Sequence, residues 1–133
     1  MKPFEEIEHT ADWAFRAFGA TLSELFENAA RALSSLEGAA EQPTMVTRDV
    51  QVEGIDLESL LVNWLSELLF LQETRGETYH RFTVVELTPT SLTAQIQGGR
   101  AGPLNKYVKA VTYHNLEIKQ TPEGWQATVV VDV

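Results

Sequence analysis

The chain has 133 residues, of which 44% are hydrophobic, and it carries a formal net charge of −9 and no cysteine. This length and composition fit one folded domain over 1–133 and exclude global disorder. The acidic charge disfavours strong direct binding to nucleic acid, and the lack of cysteine excludes disulfides and thiolate zinc sites. Because no apolar run reaches the length of a membrane span or a signal peptide, we expect a soluble, cytoplasmic protein without membrane contact.

Two strands and a helix begin the predicted fold. Alternating apolar residues predict strands over 4–8 and 13–19. A helix over 22–36 follows, because Thr21 and Glu24 form a capping-box pattern and apolar residues recur every three or four positions. This helix has one apolar face, so it must cover a flat surface.

A third strand over 45–53, a second helix and four more strands complete the chain. The second helix is predicted from Asp56 to Arg75, with one apolar stripe and a stop at Gly76. Four consecutive strands are predicted at 80–88, 91–97, 107–118 and 125–132. These elements predict an α+β two-layer sandwich, in which two amphipathic helices pack on a mixed or antiparallel β-sheet.

Polar residues between the first two predicted strands form the first candidate site. His9, Thr10 and Asp12 stand at this turn, where short side chains point away from the β-ladder. They could form an Asx or ST turn with nearby backbone amides. Alternatively, Asp12 could supply a carboxylate to a cation, with His9 and Thr10 as supporting neighbours. The residues alone leave both interpretations open.

The end of the last predicted strand is the second candidate site. The Asp132 carboxylate and the terminal carboxylate of Val133 lie within one residue of each other, and uncompensated crowding of two anions raises a pKa or reduces stability. If the first turn approaches this end, Asp12 would join them in an all-oxygen site suited to Ca²⁺, Mg²⁺ or Mn²⁺ rather than zinc. The alternative is three carboxylates that are solvated separately.

A strand that carries a lysine is the third candidate site. Over 108–114 the predicted alternation puts Lys109, Val111 and Tyr113 on one face. A lysine in an interior strand either extends its ammonium group to water or faces an anion. For His114 we expect a hydrogen-bonded structural histidine rather than a ligand or a base.

A glycine-rich segment over 98–103 separates two of the predicted strands. No predicted helix follows it, so it lacks the amide donors and the dipole of a phosphate-binding loop. We therefore predict a flexible connection there and no bound nucleotide.

Four segments together resemble the archease family, small acidic proteins associated with RtcB-type tRNA-splicing RNA ligases. They span the chain from end to end, and their combination in this order is more specific than any one of them. The segments are His9–Asp12 with Gly19, Thr21–Ala30, Leu60–Leu69, and Val108–His114 with Val131–Val133.

The resemblance implies a metal-binding accessory protein that is not itself an enzyme. Such a protein promotes guanylylation of the RNA ligase and permits its multiple turnover in tRNA splicing or RNA repair. The resemblance also implies that Asp12, Asp132 and Val133 hold the divalent cation. Lys109 matches the lysine that is functionally important in the family.

Two other functions stay open. The family is also associated with RNA methyltransferases, as a chaperone-like partner that modulates them. A small metal-dependent phosphohydrolase would instead use Asp12 and Asp132, with His9 or His114 as the base. The sequence contains no nucleophile elbow, paired-histidine motif or Walker loop, which disfavours the hydrolase.

Overall fold

Two helices and eight strands form the fold in the computed structural model, which describes residues 2–8, 13–38, 43 and 45–133. The first five elements are β1 (Phe4–Glu8), β2 (Trp13–Gly19), α1 (Leu22–Glu37), β3 (Val46–Glu53) and α2 (Leu57–Arg75). The next five are β4 (Glu77–Thr88), β5 (Ser91–Arg100), β6 (Ala110–Val111), β7 (Glu117–Thr121) and β8 (Gly124–Asp132). Within these ranges, neither helix combines the length and the hydropathy that crossing a bilayer requires.

Local capping places α1 where the sequence predicts it. The Thr21 hydroxyl accepts a hydrogen bond from the backbone N–H of Glu24 at 3.1 Å, and Gly38 ends the helix with φ of +67°. The helix contacts β2 and β4, and its buried face includes Phe26 and Leu33. It therefore packs against the strand that directly precedes it and against a second strand that is distant in the sequence.

Both ends of α2 are also fixed by local interactions. Asp56 forms a capping box with Ser59, and Gly76 ends the helix with φ of +65°. In the middle of the helix, Trp64 is fully buried, and its indole N–H donates to the Phe26 carbonyl at 3.0 Å. This bond joins α2 to α1 inside the core.

The described strands divide between two antiparallel sheets. In the first sheet β2 lies between β1 and β8, while β6 and β7 both pair with the other side of β8. In the second sheet β5 lies between β3 and β4. Buried residues from both sheets and both helices form one hydrophobic cluster. The predicted α+β class is confirmed, with antiparallel pairing.

The prediction of one continuous strand over 107–118 is wrong. Only Ala110 and Val111 pair with β8 as β6, and the chain then turns through Asn115, whose φ is +52°. The physical reason lies in the burial pattern, because Val108 and Val111 are both buried although they are three positions apart. This spacing does not fit the period of two that a strand requires.

The prediction of a flexible connection over 98–103 is wrong for its first three residues. β5 continues to Arg100, and in its register with β4 Gly98 lies opposite Tyr79. A Cβ atom at Gly98 would collide with the carbonyl oxygen of Thr78. The glycine is therefore required by the close approach of two backbones rather than by flexibility.

An ion pair joins the two outer strands of the second sheet. Arg48 on β3 donates two hydrogen bonds to the Glu77 carboxylate on β4, at 2.7 and 2.8 Å. The Tyr79 hydroxyl donates a third, at 2.8 Å. The hydrogen bond from Arg48 is the main cause that lowers the pKa of Glu77 below its ordinary value of 4.5.

We expect this ion pair to make stability depend on acid pH. Because the pKa of Glu77 is lower in the folded protein, its stabilisation is fully present above about pH 4.5 and is lost as the pH falls through the folded pKa. The free energy of unfolding, measured by urea titration, should fall less steeply below that pH in Glu77→Gln than in the wild type. Glu86→Gln changes an exposed carboxylate of the same strand and should behave like the wild type. Equal pH slopes in Glu77→Gln and wild type would contradict the expectation.

Candidate functional site

Lys109 and Asp132, two of the predicted site residues, meet at one edge of the first sheet. Asp132 is the last residue of β8, and its backbone carbonyl accepts a hydrogen bond from the N–H of Lys109 at 2.8 Å. Both residues are exposed, as is Val133, which follows them at the end of β8. Lys109 thus lies at a sheet edge and not in the interior strand that the sequence predicts.

The predicted turn residues His9, Thr10 and Asp12 lie outside the described residues. The structure does describe Trp13, the next residue in the sequence, which pairs with Val131 of β8. The start of β2 and the end of β8 therefore lie side by side, one residue away from the aspartate that ends β8.

A short segment over 105–109, which we call the strap, runs from the end of α1 to this edge. The backbone N–H groups of Asn105 and Lys106 donate to the Glu37 carbonyl at 2.9 and 3.2 Å. The Lys106 ammonium group lies 2.7 Å from the centroid of the Trp13 ring, as in a cation–π contact. The strap therefore connects α1 with the start of β2, and its last residue bonds to β8.

The side chain of Glu37 also holds the strap. It is only 1% exposed, and its carboxylate accepts hydrogen bonds from the Gln72 amide at 2.9 Å and from the backbone N–H of Val108. Burial raises the pKa of the Glu37 carboxyl above its ordinary value, although both hydrogen bonds oppose that shift. No motif in the sequence singles out Glu37, but its place four residues after Leu33, on the buried face of α1, is a signal that would find it.

A cleft of about 210 Å³ lies between α2 and the strap. Phe70 and Glu73 line it from the helix, and Tyr107 and Lys109 line it from the strap. Phe70 is 57% exposed and Tyr107 is 51% exposed. The candidate site thus adjoins an exposed aromatic surface of the kind that contacts other proteins.

The remaining residues of the lysine-bearing segment do not share one face. Val111 is buried, whereas Lys109 and Tyr113 are exposed, so the predicted face is wrong. His114 is exposed in the turn before β7, where its ring nitrogen lies 3.3 Å from the side-chain amide of Asn115.

At this sheet edge the Asp132 carboxylate and the Lys109 ammonium group belong to neighbouring backbone segments. Carboxylate oxygens are the ligands that Ca²⁺ and Mg²⁺ prefer, and they also suit Mn²⁺. A protonated lysine has three donors and no acceptor, so it binds anions rather than cations. The arrangement therefore suits Asp132 to contact a cation and Lys109 to contact an anion.

Comparisons of sequence find one family over almost the whole chain. The model of the Archease protein family (MTH1598/TM1083) matches residues 4–133. The protein archease of Methanosarcina mazei is 41% identical over 99% of this chain and 97% of its own. The protein archease of Pyrococcus abyssi is 39% identical over the full length of both chains.

Comparisons of structure agree with those of sequence. The solution structure of protein 1598 of Methanobacterium thermoautotrophicum superposes with a TM-score of 0.74 and 35% identity, and covers both chains completely. A crystal structure from Thermotoga maritima, described as an archease and possible chaperone, gives a TM-score of 0.70 over 97% of this chain and 96% of that one. At 23% identity this second likeness shows the fold alone. The family match, together with the full-length relatives, shows that the chain belongs to the archease family.

Proposed function

We propose that this chain is an accessory protein that binds a divalent cation and activates an RtcB-type RNA ligase. In this proposal it promotes attachment of the guanylyl group to the ligase and permits multiple turnover in tRNA splicing or RNA repair. The observation that carries the proposal is the hydrogen bond of 2.8 Å from the Lys109 N–H to the Asp132 carbonyl. It brings to one edge two residues that the resemblance to the family selects.

The proposed ligands of the cation are the carboxylates of Asp12 and Asp132 and a terminal oxygen of Val133. Two observations support this set. The Asp132 side chain is exposed at the end of its strand, and the pairing of Trp13 with Val131 holds the start of β2 beside that end. All of the donors are oxygens, which fits Ca²⁺, Mg²⁺ or Mn²⁺. Such a cation, when bound, supplies positive charge that can neutralise phosphate oxygens.

The charge of the chain supports a protein partner rather than direct contact with RNA. The net charge of −9 repels a polyanion, whereas a protein that binds RNA must itself present positive charge to the phosphates. Complementary charge raises the rate at which two such proteins meet. The exposed aromatic rings of Phe70 and Tyr107, which line the cleft beside Lys109, supply apolar contact area for that encounter.

We expect Lys109→Gln to lower guanylylation of the ligase by at least about tenfold while cation affinity stays near that of the wild type. The reason is that the substitution removes an exposed positive charge without removing a proposed ligand. The measurements are transfer of labelled GMP from GTP to the RtcB-type ligase encoded in the same genome, and calorimetric titration of the free protein with Mn²⁺.

Lys119→Gln is the matched control for this prediction. Lys119 is another exposed lysine of the first sheet, and its ammonium group lies 3.7 Å from the Glu117 carboxylate. We expect this variant to activate the ligase as the wild type does. If Lys109→Gln also activates fully, or if both variants lose activation equally, the role proposed for Lys109 is wrong.

A chaperone-like role for an RNA methyltransferase, with which the family is also associated, is the second candidate. The two functions differ in their dependence on the cation. Activation of the ligase should be lost when EDTA removes divalent ions from the accessory protein and should return when Mn²⁺ is added. A stabilising effect on a methyltransferase that EDTA does not change, without any effect on the ligase, would favour the second candidate. Hydrolysis of phosphoesters by the isolated protein would contradict both.

A further inference from the structure

We propose that Glu37 is a positioning residue, which fixes the strap so that Lys109 meets Asp132 at the edge of the first sheet. The effect on a ligase rests on the function proposed above, whereas the effect on the strap can be measured on the free protein. Glu37 lies outside the set of residues selected by the resemblance, and within the described part of the chain it reaches the site through the strap.

The first observation is that Glu37 is buried and has no ion-pair partner among the residues that the structure describes. A carboxylate in a protein interior is costly unless hydrogen bonds satisfy its oxygens. Here the donors come from two other parts of the chain, namely Gln72 on α2 and the backbone of Val108 in the strap. The side chain therefore links three segments that meet at this point in the core.

The second observation is that the backbone of the same residue holds the other end of the strap. The Glu37 carbonyl, which belongs to the last turn of α1, accepts the N–H groups of Asn105 and Lys106. Gly38 lies so close that a Cβ atom on it would collide with the Asn105 side chain. One residue thus accepts hydrogen bonds from three of the five residues of the strap.

The third observation concerns what the strap carries. Val108, whose N–H bonds to Glu37, directly precedes Lys109, whose N–H bonds to Asp132. The Val108 side chain is only 2% exposed, so it anchors the strap in the core. A change in how Glu37 holds Val108 therefore reaches Lys109 through a single peptide unit.

The test uses amide hydrogen exchange, followed by NMR, on three proteins. Glu37→Leu keeps an apolar volume in the core but leaves the Val108 N–H without its acceptor, so we expect exchange at Val108 and Lys109 to become roughly tenfold faster or more. Glu37→Gln retains one carbonyl oxygen for Val108, and its amide can donate to Gln72 after that side chain rotates. We therefore expect Glu37→Gln to keep the exchange close to that of the wild type.

Ile96→Val is the control for a general loss of stability, because Ile96 is fully buried in β5 of the second sheet. It should accelerate exchange only as far as it lowers the global free energy of unfolding. The exchange rates in Glu37→Leu are therefore corrected for the change in its global free energy of unfolding. If Val108 and Lys109 are then as protected as in the wild type, the proposal is wrong. It is also wrong if Glu37→Gln exchanges as fast as Glu37→Leu.

A measurement on the wild-type protein keeps the proposal testable should Glu37→Leu fail to fold. If the strap opens as one unit, the amides of Val108 and Lys109 should show the same opening equilibrium. Exchange of Lys109 at the rate of an unstructured chain would overturn the proposal.

Activation of the ligase separates this inference from the proposed function. We expect activation to fall in Glu37→Leu and to be rescued in Glu37→Gln, in parallel with the exchange of Lys109. If the wild-type protein activates no ligase, the proposed function fails, and the exchange data still decide whether Glu37 positions the strap.

Discussion

Asp132→Asn is expected to weaken binding of a divalent cation by at least about a hundredfold and to abolish activation of the RNA ligase. The substitution removes one of the proposed anionic ligands and keeps the size of the side chain. The fold should survive, because Asp132 is exposed and its backbone carbonyl, not its side chain, accepts the hydrogen bond from the strap. Calorimetric titration with Ca²⁺ and Mn²⁺ measures the affinity, and transfer of GMP to the ligase measures activation.

Asp49→Asn makes the same chemical change at an exposed position of β3, in the other sheet. It should leave both cation affinity and activation unchanged, which controls for the loss of one negative charge. Asp12→Asn should reproduce the loss seen in Asp132→Asn. Full cation affinity in Asp132→Asn would show that the cation binds elsewhere or not at all, and the proposed ligand set would have to be abandoned.

Trp64→Ala is expected to lower the free energy of unfolding by about 3–5 kcal/mol, the range for large aromatic residues removed from a core. The indole is fully buried and lies edge-on to Phe82, with ring centroids 6.4 Å apart. Its loss leaves a cavity and also removes the hydrogen bond to the Phe26 carbonyl, which joins α2 to α1. Guanidinium denaturation followed by circular dichroism measures the change.

Trp125→Ala removes a partly buried tryptophan at the start of β8 and serves as the comparison. Trp125→Ala should lower the free energy of unfolding clearly less than Trp64→Ala does, since part of the Trp125 side chain already contacts solvent. Equal losses in the two variants would mean that the position of Trp64 between the helices adds nothing beyond its size.

The helices could be predicted almost residue by residue because their signals are local. Thr21 and Asp56 each bond to an amide three residues away, and Gly38 and Gly76 each take a left-handed conformation that the neighbouring backbone completes. Such interactions need no knowledge of the rest of the fold. The same holds for the first strands, whose alternation of residues is regular.

The division of the strands between two sheets could not be predicted, because pairing depends on partners far apart in the sequence. β2 pairs with β8 from the opposite end of the chain, and β5 lies between β3 and β4. The alternation around Val108 was misleading for a related reason. That segment crosses from α1 to the edge of the first sheet, and its burial follows contacts with Glu37 and the core rather than the pleat of a strand.

The candidate site was predicted in part. The residues Lys109 and Asp132 could be selected from the sequence and the resemblance, and the structure brings their backbones together. Glu37, which holds the strap, could not be selected in this way. Its role depends on hydrogen-bond donors from Gln72 and Val108 that only the folded chain brings together. A carboxylate on the apolar face of a helix was the available signal.

The break in the predicted strand over 107–118 has a consequence for how the edge of the first sheet meets other molecules. The outer side of β8 is covered by β6, which has two residues, and by β7, which has five. A border so short and interrupted exposes few consecutive unpaired N–H and C=O groups, so another polypeptide cannot extend the ladder along it. Recognition at Lys109 and Asp132 must then rely on side chains, and self-polymerisation through this border is disfavoured.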